Sequence, residues 1–202
     1  VARREQIAEA GVRLIARSGV RTLTHLLVDK EAGLPRGSTS YYARTRRDLT
    51  ALVVERLSDD TQSDLDGLAI PPTLSHAQAV QVVVELLDHL AQREDAQAAR
   101  YALLFELRND DKLRALLTVD APVREILVEQ AEKLLQAVGV ADPSRHATDL
   151  VGLLDALLMY RTAQAAPVDA ARVIGAYLEG LRQSVRTARR RREGARPTRQ
   201  GQ

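Results

Sequence analysis

The stretch from Thr24 to Leu49, THLLVDKEAGLPRGSTSYYARTRRDL, constrains this chain more than any other. Its punctuation fits two short helices and the start of a third, with little chain between them. Thr24 can cap a helix running through Ala32, because its hydroxyl accepts a backbone N–H of the first turn. Gly33 ends that helix, since glycine enters the left-handed conformation without a Cβ penalty. Pro35 suits the first position of the next helix, where a missing N–H leaves nothing unpaired. The spacing predicts that second helix over Arg36 to Tyr42. Thr45, with Asp48 three residues on, reads as a near capping box that opens another helix. A helix, a glycine-bearing turn and a second helix rich in Arg, Ser and Tyr form a helix-turn-helix pattern.

On either side the pattern stays helical. From Ala2 to Ser18, Ile7, Gly11, Leu14 and Ile15 fall at i, i+4, i+7 and i+8, one apolar face, and Gly19 closes the segment. Leu49, Leu52, Val53 and Leu57 continue as a stripe on the helix that Thr45 opens, which runs toward Asp64–Leu68 before Pro71-Pro72 breaks the chain. Beyond the prolines the spacing predicts helices over Ser75–Arg93, Ala96–Arg108, Lys112–Leu117, Val123–Val138, Ser144–Gln164 and Asp169 to about Arg190. No alternation of strand type with turn signals occurs, so the expected class is all-α. The domain division expected is a helix-turn-helix domain over 1–57, a ligand-binding and dimerisation domain over 58–188, and a basic, disordered tail over 189–202.

Charge sorts the same way. Residues 1–57 carry 11 Lys and Arg against 6 Asp and Glu, residues 58–181 carry 10 against 20, and residues 182–202 carry 8 against 1. A basic head and tail on an acidic body favour a polyanion at the ends. Arg189 to Arg192, Arg196 and Arg199 give the tail a non-specific affinity for phosphate or leave it a solvated extension. With no cysteine the chain has neither disulfides nor thiolate chemistry, which suits a reducing cytoplasm. No apolar run approaches the roughly 18 residues of a membrane span. No secretory leader opens the sequence, which begins at Val1 rather than Met. The four histidines, His25, His76, His89 and His146, show no metal-ligand spacing, and no nucleotide-binding or nucleophile-elbow motif is present. No enzyme activity, metal or cofactor is therefore expected.

The Thr24–Leu49 stretch resembles the TetR family of bacterial transcription regulators. The resemblance rests on Thr24, Ala32-Gly33, Gly37-Ser38, Tyr41-Tyr42, Arg46 and Leu49, extends upstream over Ile7-Ala8 and Gly19, and covers about residues 4 to 57. It implies a repressor that binds palindromic operator DNA as a homodimer in the cytoplasm and is released by a small-molecule effector. The expected DNA contacts are Thr24, His25, Arg36, Gly37, Ser38, Ser40, Tyr41, Tyr42 and Arg46. Arg36 suits base reading, because a guanidinium meets guanine O6 and N7 together. Arg46 suits phosphate, because it stands at a helix N-terminus. Leu26 stands where relatives often carry an arginine that touches DNA, and Ala43 where most carry a core aromatic. The same resemblance implies an effector pocket between the middle helices, for which His89, Tyr101, Phe105, Glu106, Asp155 and Met159 are candidates. It also makes the last two helices a dimer interface, with Leu150, Leu154, Leu157, Leu158, Ile174, Leu178 and Leu181 as its apolar residues. A helical adaptor that meets a protein or an anionic membrane through its basic ends is the other class the charge pattern admits.

Overall fold

The computed structural model describes residues 2–65 and 69–194, and of residues 60–64, 122 and 183–194 the backbone alone. The described residues form ten helices and no strand: α1 (Arg3–Ser18), α2 (His25–Glu31), α3 (Ser38–Tyr42), α4 (Arg46–Leu65), α5 (His76–Ala91), α6 (Glu94–Glu106), α7 (Asp111–Ala115), α8 (Pro122–Ala137), α9 (Pro143–Thr162) and α10 (Ala170–Gly194). The basic tail beyond 194 lies outside the described residues, while the backbone of α10 stays helical past Arg190, where the sequence placed its end.

The boundaries follow from side chains that complete the backbone bonding of each terminus. Thr24 Oγ1 accepts from Leu27 N–H at 3.3 Å to start α2. At its far end Leu34 N–H reaches back to Asp29 O at 2.8 Å and Gly33 N–H to Lys30 O at 3.2 Å, the double closure typical of a helix ended by a left-handed residue. The box before α4 is reciprocal: Thr45 N–H donates to Asp48 Oδ2 at 2.9 Å, and Asp48 N–H to Thr45 Oγ1 at 3.1 Å. Ser75 and Gln78 cap α5 in the same manner, and α8 and α9 each open on a proline.

The second helix of the motif departs from expectation. It begins at Ser38 rather than Arg36, and Pro35 lies in the turn before it, where its carbonyl accepts from Ser38 N–H and Ser38 Oγ. Gly37, at φ 94°, separates turn from helix. Any residue with a Cβ would be strained there.

Two apolar clusters hold the molecule. In the first, Ile7 and Ile15 of α1, Leu23, Val28 of α2, and Leu49 and Val53 of α4 are fully buried. A Cβ on Gly11 would lie 2.5 Å from Val53 Cγ2, so α1 and α4 touch through a glycine. This cluster runs on into Ala99 and Leu103 of α6, then Leu107, Leu113 and Leu117. Residue 57, expected as a domain edge, therefore marks no gap in the core. Helix α4 continues through it, and α6 and α7 cover apolar surface that the first three helices cannot bury alone.

The second cluster gathers α5, α8, α9 and α10 around Leu87, Leu135, Ile174 and Leu178. Burying one such side chain is worth about 1.5–3 kcal/mol. Here the expected interface residues take a different place. Leu150, Leu154, Leu157, Leu158, Ile174 and Leu178 are all buried in the chain's own core, and Leu181 is half-buried against it. The reason is helical phase. The inward face of α9 uses its large leucines, while Gly152, Ala156, Met159 and Tyr160 face outward. On α10, Ala176 and Gly180 are exposed, and a Cβ added at Gly152 or Gly180 would meet nothing.

Candidate nucleic-acid interface and cavity

Helix α3 is one and a half turns long, too short to persist without an anchor. That anchor is Asp29, on α2 and 2% exposed. Its Oδ2 accepts from Gly37 N–H at 2.7 Å, and its Oδ1 from Thr39 N–H at 2.7 Å and Thr39 Oγ1 at 2.6 Å. The carboxylate thus satisfies free N–H groups at the start of α3 and fixes the turn against α2. Burial pushes its pKa up, but the bonds from Thr39 side chain, Thr39 backbone and Gly37 backbone, with the charge of His25, hold it below the usual carboxylate value. Sequence reasoning passed over Asp29 because it sits mid-helix, where an aspartate reads as a solvated charge. The signal it carried was the spacing of eight and ten residues to Gly37 and Thr39.

On this rigid turn the expected contact residues divide. Tyr41 is 82% exposed, and Tyr42 meets it edge-on with ring centroids 5.1 Å apart. Arg36 and Ser40 are exposed as well, and Gly37 brings bare backbone beside them. Others are already engaged within the protein. Thr24 spends its hydroxyl on the cap, His25 Nε2–H donates to Ala43 O at 2.7 Å, Ser38 Oγ donates to Pro35 O, and Arg46 donates to Val20 O at 3.0 Å. Ala43, the position without an aromatic ring, is buried, and its carbonyl takes the His25 bond. Leu26 is exposed on α2 and offers no charge.

Electrostatics favour an anion over this surface. All six acidic residues of the first 57 have partners: Glu5 with Ala2 N–H, Glu9 with Arg56, Asp29 with the turn, Glu31 with Arg13 and Arg17, Asp48 with Thr45 and Glu55 with Arg4. Arg21, Lys30, Arg36 and Arg44 have no side-chain partner among the described residues. The uncompensated charge is therefore positive, and phosphate can meet it without displacing a carboxylate.

Helix α4 leads from this surface to a cavity of about 130 Å³ in the body. Its walls are Leu57 and Ser58 of α4, Leu90 of α5, Gln97, Arg100 and Leu104 of α6, Leu116 to Thr118 beyond α7, Arg124 and Leu127 of α8, and Val151, Leu154, Asp155 and Leu158 of α9. Of the expected pocket residues, Asp155 lines it. Tyr101 stands behind, its hydroxyl 3.2 Å from Asp155 Oδ1. Phe105, 72% exposed, and His89, Glu106 and Met159 lie on the surface and do not line the cavity. Three of the four are one residue out of phase: Leu90, Leu104 and Leu158 turn inward where His89, Phe105 and Met159 turn out. Aromatic and polar type suggested a pocket, but the angle around each helix decides membership.

Arg100, Gln97 and Arg124 were not anticipated. Arg100 meets Asp155 with both terminal nitrogens, at 2.7 and 3.2 Å, and lies over the Tyr101 ring. Burial works against its charge, yet the facing carboxylate keeps its pKa above the ordinary arginine value. Burial, then the charge of Asp155, pushes the Tyr101 phenol up in turn. At the other end of α4, Arg47 makes two bonds to Asp110, at 2.9 and 3.0 Å, and Ser58 Oγ donates to Leu116 O at 3.4 Å. No group of three or more metal-binding side chains occurs among the described residues, and none of their helices is long and apolar enough to cross a membrane.

A short, exposed helix locked at the end of a helix-turn-helix, joined by one long helix to a body with a cavity, defines a helix-turn-helix transcriptional regulator. Residues 74–192 match the family described as tetracyclin repressor-like, C-terminal domain, and the chain belongs to the TetR family. It is 28% identical over 85 residues to the HTH-type transcriptional regulator PksA of Bacillus subtilis, an alignment spanning 42% of each chain. The fold is shared with a transcriptional regulator from Rhodococcus sp. Rha1, with a TM-score of 0.70, 16% identity, and 91% of this chain and 97% of that one covered. It is shared too with the multidrug binding protein EbrR complexed with ethidium, with a TM-score of 0.66, 21% identity, and 89% and 98% covered. A regulator from Saccharomonospora viridis in complex with choline aligns with a TM-score of 0.61 at 20% identity over 88% and 93%. PksA and the Rhodococcus protein are described as transcriptional regulators.

Proposed function

We propose that this protein is a repressor that binds palindromic operator DNA as a homodimer in the cytoplasm and releases it when a small molecule fills the cavity. The observation that carries the reading is the Asp29 clamp: a five-residue helix is held rigid, with its Ser40, Tyr41 and Tyr42, and Arg36 of the turn before it, exposed to solvent. Arg36 reads a base edge, the tyrosines meet phosphate and sugar, and Arg46 exchanges the Val20 carbonyl for a phosphate. Thr24 and His25 contribute through position, since their polar groups already have partners. A reading helix gains little alone, and two of them must be spaced by about one duplex turn, roughly 34–36 Å.

The second copy of the chain packs against the exposed faces of α9 and α10. Gly152 and Ala156, with Ala176 and Gly180, allow close helix approach, and Met159, Tyr160 and Leu181 add apolar surface at the rim. The effector acts through α4, whose Leu57 and Ser58 form part of the cavity wall. An occupant that binds one setting of α4 better than the other changes the spacing of the two reading helices. Two structural neighbours were crystallised with small molecules bound, ethidium and choline, which supports a ligand site in the body.

The test is a gel shift of the full chain on the DNA upstream of its own gene, at rising salt. A steep loss of affinity with salt and survival of a specific complex over competitor DNA are expected. Equal affinity for operator and random sequence would refute the reading.

A further inference from the structure

The cavity carries more chemistry than a packing defect needs, and its charged groups do not cancel. Three ionisable side chains line it: Arg100, Arg124 and Asp155. Arg100 and Asp155 satisfy one another through two bonds. Arg124, half-buried on the first turn of α8, has no ion-pair or side-chain hydrogen-bond partner among the described residues. One positive charge is left over. A second loose end stands across from the leucines. Gln97 is 5% exposed, and its amide donates to Leu90 O at 3.4 Å, while its Oε1 is buried with no donor in reach. A buried acceptor without a partner is rare and calls for an explanation.

Resting on the effector reading above, we infer that the occupant of this cavity is a small organic acid: its carboxylate meets Arg124, its apolar body lies against the leucines, and a hydroxyl or N–H meets Gln97. Size limits the body. The volume is about 130 Å³, and an apolar protein cavity of about 150 Å³ holds benzene. The body can therefore be no larger than a single ring or a short branched chain, with the charged end at the half-exposed arginine. Charge limits the head group. A cation would join an existing positive excess and would have to draw Asp155 away from Arg100. A purely apolar molecule would dry Arg124 without compensating it and leave Gln97 as it is. An acid with a donor satisfies both groups and leaves the Arg100–Asp155 pair intact.

Calorimetry on the full chain tests this with four probes of one skeleton: 4-hydroxybenzoate, benzoate, methyl 4-hydroxybenzoate and 4-hydroxybenzylamine. The hydroxy acid should bind best. Benzoate, without the donor, should bind about tenfold more weakly, and the ester and the amine weaker still, since each tenfold step is one lost polar contact of ordinary strength. Arg124→Ala should remove the preference for acid over ester. Gln97→Leu should remove the preference for hydroxybenzoate over benzoate. Both variants are checked for wild-type helical content by circular dichroism. Failure of both acids to bind, an amine bound as tightly as the acid, or an acid preference that survives Arg124→Ala would each overturn the inference. Operator release is measured alongside. An acid that binds with these preferences but leaves the operator complex intact supports the site chemistry and counts against the effector reading alone. Release by the amine with the acids inert overturns the site chemistry and leaves the effector reading standing.

Discussion

Asp29 in the head and Asp155 in the body are both carboxylates drawn inward, and they are held by different kinds of partner. Asp29 is buried, and its bonds go to the Gly37 and Thr39 N–H groups and the Thr39 hydroxyl, eight to ten residues along the chain. Asp155 is half-buried, and its bonds come from Arg100 and Tyr101, more than fifty residues away on another helix. The head thus spends a charge on local backbone, which makes a short helix rigid. The body spends one across a helix interface, beside a cavity that another molecule can enter. Rigidity sits at the proposed DNA face, and polar contacts between helices sit beside the proposed ligand site.

The largest effect should separate the two faces of α9. Leu157→Glu puts a carboxylate into the body's core and removes a buried leucine, and should cost at least about 4 kcal/mol. Loss of helical circular dichroism or of cooperative melting would report it. Ala156→Glu, one residue earlier and exposed, should keep helical content while light scattering shows monomers. A variant that stays dimeric would move the interface off this face.

Next comes Asp29→Asn, which keeps the shape and exchanges charge-assisted acceptance for a weaker bond and an amide facing N–H donors. About 2–4 kcal/mol of stability should go, with operator affinity falling and ligand binding in the body unchanged. The pH dependence has a definite sign. The folded pKa of Asp29 lies below its unfolded value, so its contribution is complete above about pH 4 and is lost as pH falls through the folded value. Thermal melts from neutral to acid pH should therefore converge for wild type and Asp29→Asn. Curves that stay parallel would mean that the carboxylate is not what holds the turn.

Arg36→Ala should cost about 1–3 kcal/mol on the operator and relax preference at one position per half-site, while Arg46→Ala weakens operator and random DNA alike. Competition binding with single-base operator variants distinguishes reader from clamp. Uniform losses in both mutants would erase that division. The smallest change is expected from Asp110→Asn, which weakens the tie to Arg47 at the start of α4 while an amide oxygen can still accept from Leu113 N–H to cap α7. Both side chains of the pair are partly exposed, so melting temperature and operator affinity should barely move. Ligand-driven release should weaken, because α4 loses a tie to the body near its DNA-facing end. An unchanged response would place the coupling in Leu57 and Ser58 alone.

By itself the sequence determined whatever depends on neighbours a few residues apart. The Thr24 cap, the end of α2 at Gly33, the reciprocal Thr45–Asp48 box and the order of helices to α10 are local backbone chemistry, legible from residue type and spacing. So was the exposed second helix of the motif, although Gly37 and Asp29 shorten it, and leave Arg36 in the turn before it, in a way that needs three dimensions. Tertiary structure alone decided which faces meet. It extended the head's core into α6 and α7, turned the large leucines of α9 inward and its glycine and alanine outward, and lined the cavity with Gln97, Arg100 and Arg124 instead of Phe105 and Met159. Composition names the apolar residues of a helix that is hydrophobic nearly all round, but the direction in which each points is set by the helices packed against it, and those lie far away in the chain.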